Sequence, residues 1–213
     1  MMKNYLAAAS VAFSLSFVFC LILIPVLRKL KAGQNILSYV KEHKGKSGTP
    51  TMGGLAFILS AVLTASIFVK KIDRATIVAL TVGIAYLLVG FLDDFLKKKH
   101  KENLGLKAWQ KALFQTFAAV FAGIFCVRAG LTHLNVPFTH KSFDIGWGML
   151  PLAVFVFLAT VNSVNLTDGL DGLAAGTSLP FFLFMGIIAV LQGGSVSLAS
   201  LSFCLCGALA AYL

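Results

Sequence analysis

Seven apolar stretches dominate this chain. They run from about Tyr5 to Leu27, Gly53 to Val69, Ala75 to Leu92, Trp109 to Ala129, Met149 to Val164, Thr177 to Leu191, and Ser195 to the last residue, Leu213. Several reach the length of about 18 residues that crosses a bilayer core as a helix. Apolar residues make up 58% of the sequence and charged residues 12%. A soluble domain carries about 25% charged residues, and one built from this chain would expose far too much apolar surface. The reading is an all-α, polytopic transmembrane helical bundle, a single integral membrane domain over residues 1–213 with about seven spans, the last incomplete.

The first run is too long for the apolar core of a signal peptide, and no small-residue cleavage site follows it. It is expected to be the first membrane helix, with Pro25 kinking or ending it. The four cysteines (Cys20, Cys126, Cys204, Cys206) lie in or at the ends of apolar runs. Their spacing suggests neither a metal site nor a disulfide framework, so they read as small packing residues. Residues 136–143 alternate weakly, which allows a small hairpin in the loop from Gly130 to Gly148.

The net charge is +10, but its distribution argues against nucleic acid as a partner. Of 18 Lys and Arg, six lie between Arg28 and Lys46 and six between Lys97 and Lys111. Basic clusters between membrane spans mark the cytoplasmic side. With seven spans, that places three segments on the cytoplasmic side: residues 28–48, the loop expected at residues 93–107, and residues 162–176. The basic turn at residues 70–74 is the exception.

Polarity then concentrates in few places. Of eight acidic residues, four sit as Asp93-Asp94 and as Asp168 and Asp171. Asn162, Asn165, Asp168 and Asp171 recur every third residue, with Gly169 and Gly172 each following an aspartate. At about 100° per residue, three such steps put Asn162 and Asp171 on opposite faces of an unbroken helix. The four can address one site only if the backbone breaks, which the glycines near Gly169 permit. Carboxylates converging from different helix ends beside lysines suit Mg²⁺ with phosphate, since Mg²⁺ takes one or two carboxylates, water and phosphate oxygens. The stretch from Lys46 to Gly54 adds a lysine, paired glycines, and Thr49 or Thr51 as a helix cap.

Three motifs carry a resemblance. His43, Lys46 and Gly48-Thr49-Pro50-Thr51-Met52-Gly53-Gly54 come first. Phe91-Leu92-Asp93-Asp94 follows, and Asn162, then Asn165-Leu-Thr-Asp168-Gly169-Leu-Asp171-Gly172-Leu-Ala comes last. In order and spacing, over nearly the whole chain, these resemble the bacterial phospho-N-acetylmuramoyl-pentapeptide transferases, which make lipid I. The second and third motifs resemble the wider polyprenyl-phosphate N-acetylhexosamine-1-phosphate transferase family, and the first points to the muramoyl-pentapeptide branch.

The resemblance implies a Mg²⁺-dependent enzyme of the bacterial inner membrane with its active face cytoplasmic. It implies attack of undecaprenyl phosphate on UDP-MurNAc-pentapeptide, giving lipid I and UMP. Membrane lipids surround such an enzyme, and a homodimer is compatible with it. By the same analogy Asp93, Asp94 and Asp171 are the catalytic and Mg²⁺-binding carboxylates, with base and metal ligand left unassigned. Asn162, Asn165 and Asp168 hold the nucleotide side and the diphosphate, and Lys46, Thr51, Lys97 and Lys111 contact phosphate or nucleotide.

The family chain is longer, with roughly ten spans. Its later loops carry a further Mg²⁺-binding aspartate and a histidine-rich motif. Here His43, His100, His133 and His140 are isolated. A fragment, inactive or weak by itself, is therefore expected. The nearest rival reading is a sister enzyme that loads GlcNAc-1-phosphate onto undecaprenyl phosphate. A transporter would instead place its acidic residues at mid-membrane depth.

Overall fold

The structure, a computed structural model, describes residues 2–29, 53–69, 71–100, 105–136, 139 and 141–213, with the backbone alone at 98–100. Seven α-helices appear among them: α1 (Met2–Lys29), α2 (Gly54–Phe68), α3 (Arg74–His100), α4 (Ala108–Arg128), α5 (Met149–Thr167), α6 (Leu173–Leu191) and α7 (Val196–Tyr212). Each matches one apolar run of the sequence. Helices α1, α3, α4, α5 and α6 are long and apolar enough to cross a membrane, while α2 and α7 are shorter apolar helices. Large apolar side chains such as Phe117, Phe155 and Leu191 face outward. That is the arrangement expected where lipid, not water, is the solvent.

The short α7 is the hub, packed against α1, α2 and α6 and touching α3. Its sequence explains this position. Ser197, Ala199, Ser200, Cys204, Gly207 and Ala208 are all buried, and small residues let helix backbones approach closely where no hydrophobic force acts between helices. Ala8 and Ala12 of α1 and Ala61 and Ala65 of α2 meet Leu201, Cys204 and Ala208 in one cluster. The Ser16 hydroxyl donates to the Ala208 carbonyl at 2.8 Å, and Tyr5 stacks on Phe203 with centroids 5.4 Å apart. A second group forms where α3, α4 and α5 meet around Val78, Val82 and Ala122. Cys20 and Cys204 are buried, Cys126 and Cys206 half-buried, and all four are free thiols, as packing residues should be.

Several boundaries differ from the sequence expectation. The apolar run of α3 stops at Leu92, yet the helix continues to His100. Asp93 and Asp94 therefore sit on a helix, not in a loop. Asp93 and Lys97 are one turn apart and pair, which supports the polar extension. Helix α1 runs past Pro25 to Lys29, so the proline costs one bond of the ladder without ending the helix. Helix α5 reaches Thr167, and α6 starts at Leu173. The hairpin exists, but β1 (His133–Asn135) precedes the alternating stretch and β2 (Ser142–Asp144) overlaps only its end, pairing His133 with Asp144. A 3₁₀ turn (Gly146–Gly148) leads into α5. Hydrogen bonds from the Thr132 hydroxyl and the Gly146 N–H hold the Asp144 carboxyl below the usual carboxylate range.

Hydroxyl and charge contacts close the end of the bundle that carries this hairpin. Asp73 caps α3 by accepting from the Thr76 N–H at 2.8 Å. The Thr76 hydroxyl meets that of Ser197 at 2.8 Å, and Arg74 donates to the Ala129 carbonyl at 3.0 Å. Burial is the largest single influence on the Asp73 carboxyl and pushes it up. Hydrogen bonds from Ser195, Thr76 and Ser197 together outweigh burial and leave it below its ordinary value. A carboxyl depressed in the folded state stabilises the fold above its unfolded value and loses that contribution as pH falls through the folded one. At neutral pH Asp73→Ala should melt at a lower temperature than the unaltered chain, having lost the ~1 kcal/mol of stability typical of a cap. The gap should narrow below about pH 4. Melting curves at pH 7 and pH 3.5 check both statements.

Candidate active site

The other end of the bundle gathers the motifs. Asp93, on the last turns of α3, is only 6% exposed, and a carboxylate so deep must be paired. Its Oδ2 lies 2.7 Å from Lys97 Nζ and 4.0 Å from Lys111 Nζ of α4. Its Oδ1 accepts from the Leu106 N–H at 2.9 Å. Gly105 passes so close that a Cβ there would meet the Asp93 carboxylate. Lys97 also reaches Asp94 Oδ1 at 3.6 Å, so one ammonium bridges the two neighbouring carboxylates.

Lys111 extends the network to a third helix by donating to Asn165 Oδ1 of α5 at 3.3 Å. One turn deeper the same two helices are joined again, where Asn162 Nδ2 donates to Gln115 Oε1 at 3.1 Å. The Tyr86 hydroxyl of α3 donates to the Gln115 carbonyl at 3.1 Å. Helices α3, α4 and α5 are thus held in register by side chains that begin at the site and run into the bundle.

Helix α5 ends at Thr167, and Asp168 is its C-cap. Gly172 starts α6 at φ +80°, a left-handed conformation that costs glycine nothing. The break required by the three-residue spacing is present. Its left-handed residue is Gly172, however, and Gly169 is not among the positive-φ glycines. The end of α7 meets this turn, where a Cβ on Gly172 would lie 3.4 Å from Leu213 Cδ2. Tyr212 closes against the start of α2: it packs on Phe57, and a Cβ on Gly53 would meet its hydroxyl at 2.5 Å. The starts of α2, α4 and α6 and the ends of α3, α5 and α7 therefore share one end of the bundle, as the charge pattern predicts.

Asp93, Asp94, Lys97, Lys111 and Asn165 form one connected network. Asn162 joins it through helix register, while Asp168 and Asp171 stand at the α5–α6 turn. Lys46 and Thr51 lie outside the described residues. Among the described residues no three His, Cys, Asp or Glu side chains gather closely enough to hold a metal. The Asp93–Asp94 pair still suits Mg²⁺. Its donors are oxygens, and the place between them already attracts the Lys97 ammonium. Two carboxylates with water and phosphate make a normal Mg²⁺ shell.

Gln115 and Tyr86 were not among the residues expected from the sequence. Gln115 was findable, as a buried-span amide one helical turn beyond Lys111. The role of the Leu106 N–H was not, because any residue offers the same backbone donor.

Residues 76–213 match the model of glycosyl transferase family 4. This chain belongs to that family. Within the family, residues 46–58 match the first signature of the phospho-N-acetylmuramoyl-pentapeptide-transferases, covering the Gly-Thr-Pro-Thr-Met-Gly-Gly stretch that singled out this branch. Similar family members named phospho-N-acetylmuramoyl-pentapeptide-transferase include one from Clostridium novyi. It is 42% identical over 207 residues, covering 95% of this chain and 63% of the relative. One from Thermoanaerobacter sp. (strain X514) is 40% identical over 214 residues, covering all of this chain and 67% of the relative. One from Bacillus velezensis is 44% identical over 182 residues, covering 83% and 56%. The chain spans roughly three-fifths of these relatives' length.

Proposed function

We propose that this chain carries the lipid-phosphate and nucleotide side of a Mg²⁺-dependent phosphoglycosyl transferase in a bacterial plasma membrane, its site facing the cytoplasm. The reaction moves phospho-MurNAc-pentapeptide from UDP-MurNAc-pentapeptide to undecaprenyl phosphate. A lipid phosphate oxygen bonds to the β-phosphorus, the bond from that phosphorus to the bridging oxygen breaks, and UMP leaves. The observation that carries this reading is the network of Asp93, Asp94, Lys97 and Lys111 at the bundle end that also holds the Asp168–Asp171 turn.

Two phosphates must approach each other, and their repulsion is the first obstacle. Lys97 and Lys111 offer mobile positive charge beside Asp93. Asp93 and Asp94 position the lipid phosphate and, with Asp171, would hold Mg²⁺. When bound, Mg²⁺ neutralises charge on the diphosphate and its leaving group. Asp168, Asn162 and Asn165 serve the nucleotide side, and Lys46 and Thr51 contact phosphate or nucleotide. Placement at a bundle end suits a lipid phosphate lying at the membrane surface and a nucleotide arriving from water.

The test uses the chain alone and the chain joined to the part of the Clostridium novyi relative that it leaves uncovered. Radiolabel should pass from UDP-MurNAc-pentapeptide into butanol-extractable lipid, with UMP released, and chelation of Mg²⁺ should stop it. Transfer in either form supports the reading. No transfer in both, beside an active Clostridium novyi control, or transfer from UDP-GlcNAc only, overturns it.

A further inference from the structure

Gln115 is the bulkiest of the fully buried side chains. A buried primary amide needs partners, and the partner of the Gln115 side chain is a site residue, Asn162. Asn162 Nδ2 donates to Gln115 Oε1 at 3.1 Å and to the Leu158 carbonyl at 2.8 Å. A backbone carbonyl can only accept, so the Asn162 atom facing Leu158 is nitrogen. The Gln115 atom facing that nitrogen is then oxygen. Both Asn162 donors are spent, and its Oδ1 remains on an exposed residue with no donor among the described residues.

Asn165 is turned the other way. Its Oδ1 accepts from the Lys111 ammonium, which can only donate. Its Nδ2 is therefore the end left for a ligand. Along one turn of α5 the chain offers an acceptor at residue 162 and donors at residue 165.

We propose that Gln115 is a positioning residue that holds Asn162 in the orientation the Leu158 carbonyl sets, with its oxygen left as a hydrogen-bond acceptor. Asn162 then meets an N–H or O–H of the nucleotide-sugar, while Asn165 meets phosphate oxygen. The ligand half of this inference rests on the proposed function, whereas the orientation of the amide does not. It divides roles that the sequence motif gives jointly to both asparagines, and it explains a glutamine buried between helices.

Two readouts on the detergent-solubilised chain test it. With asparagine labelled in ¹⁵N, the Asn162 side-chain N–H signals should be protected from solvent exchange. They should lose protection in Gln115→Leu and keep it in Gln115→Glu, which retains an acceptor. Unchanged protection in Gln115→Leu overturns the positioning role. In titrations with Mg²⁺, Gln115→Leu should weaken UDP-MurNAc-pentapeptide binding about tenfold, the usual effect of losing a buried hydrogen bond. Its loss against inorganic pyrophosphate, which has no sugar or base donors, should be at least about threefold smaller. Asn165→Asp, a carboxylate where donors stood, should weaken both ligands by about tenfold or more. Equal losses on the two ligands in Gln115→Leu would mean that Asn162 serves phosphate or metal-bound water, and would sink the assignment. If the unaltered chain binds pyrophosphate but not the nucleotide-sugar, the proposed function fails, while the amide signals still judge Gln115.

Discussion

Asp93→Asn should reduce transfer of phospho-MurNAc-pentapeptide by about a thousandfold or more, the scale of losing a charge that organises a phosphoryl-transfer site. The substitution is nearly isosteric. Its carboxamide oxygen can still accept from the Leu106 N–H, so the bond that ties residues 105–106 to α3 survives. What disappears is the negative charge that faces Lys97 at 2.7 Å and Lys111 at 4.0 Å. The two ammonium groups would then face a neutral amide and each other, and the carboxylate pair proposed to hold Mg²⁺ would be halved. Radiolabel transfer, measured in the form of the protein that turns over, should collapse while the helical circular dichroism spectrum and the elution volume are kept. Activity within tenfold of the unaltered protein would show that Asp93 only anchors Lys97.

The sequence carries the bundle, and which helix ends lie together, because apolar length and the placement of lysines are both one-dimensional signals. It carries the ends of the helices poorly. Leu92 ends the apolar run, but the lipid boundary and the helix boundary are different things, and the Asp93–Lys97 pair lets α3 continue where greasiness stops. The same holds at α5, where Asn165 and Thr167 are helical although polar.

Within the site, Asp93, Asp94 and the three-residue repeat were legible as polarity that a membrane chain otherwise avoids. The need for a chain break between Asn165 and Asp171 followed from helical arithmetic alone. What could not be read was which groups meet. Lys97 and Lys111 are two lysines among many until α3, α4 and α5 are assembled. The polarity of Asn162 depends on Leu158 and Gln115, residues that a motif search passes over.

Gly207 is the position where a single added atom should cost the fold most. A Cβ there would collide with the Ala9 carbonyl oxygen and would lie 2.8 Å from its carbon and 2.9 Å from its Cα. These are backbone atoms of α1, which cannot rotate aside as a side chain does, so α1 and α7 would have to separate. Separation strains the Ser16–Ala208 hydrogen bond and the Tyr5–Phe203 stack together. Forced overpacking of this kind costs up to about 3 kcal/mol, which for a chain of this size lowers the melting midpoint by roughly 10 °C. Gly83→Ala is the matched control. Nothing lies within 4 Å of a Cβ at Gly83, and alanine favours helix by about 1 kcal/mol, so its midpoint should hold or rise slightly. The damage at Gly207 should also travel. Displacing α7 moves its end away from Gly53 and from the Asp168–Asp171 turn, so Gly207→Ala should weaken UDP-MurNAc-pentapeptide binding at temperatures where the protein is still folded. Equal melting of the two alanine variants would mean that α1 and α7 do not touch at Gly207, and α7 would lose its place as the hub that aligns the site.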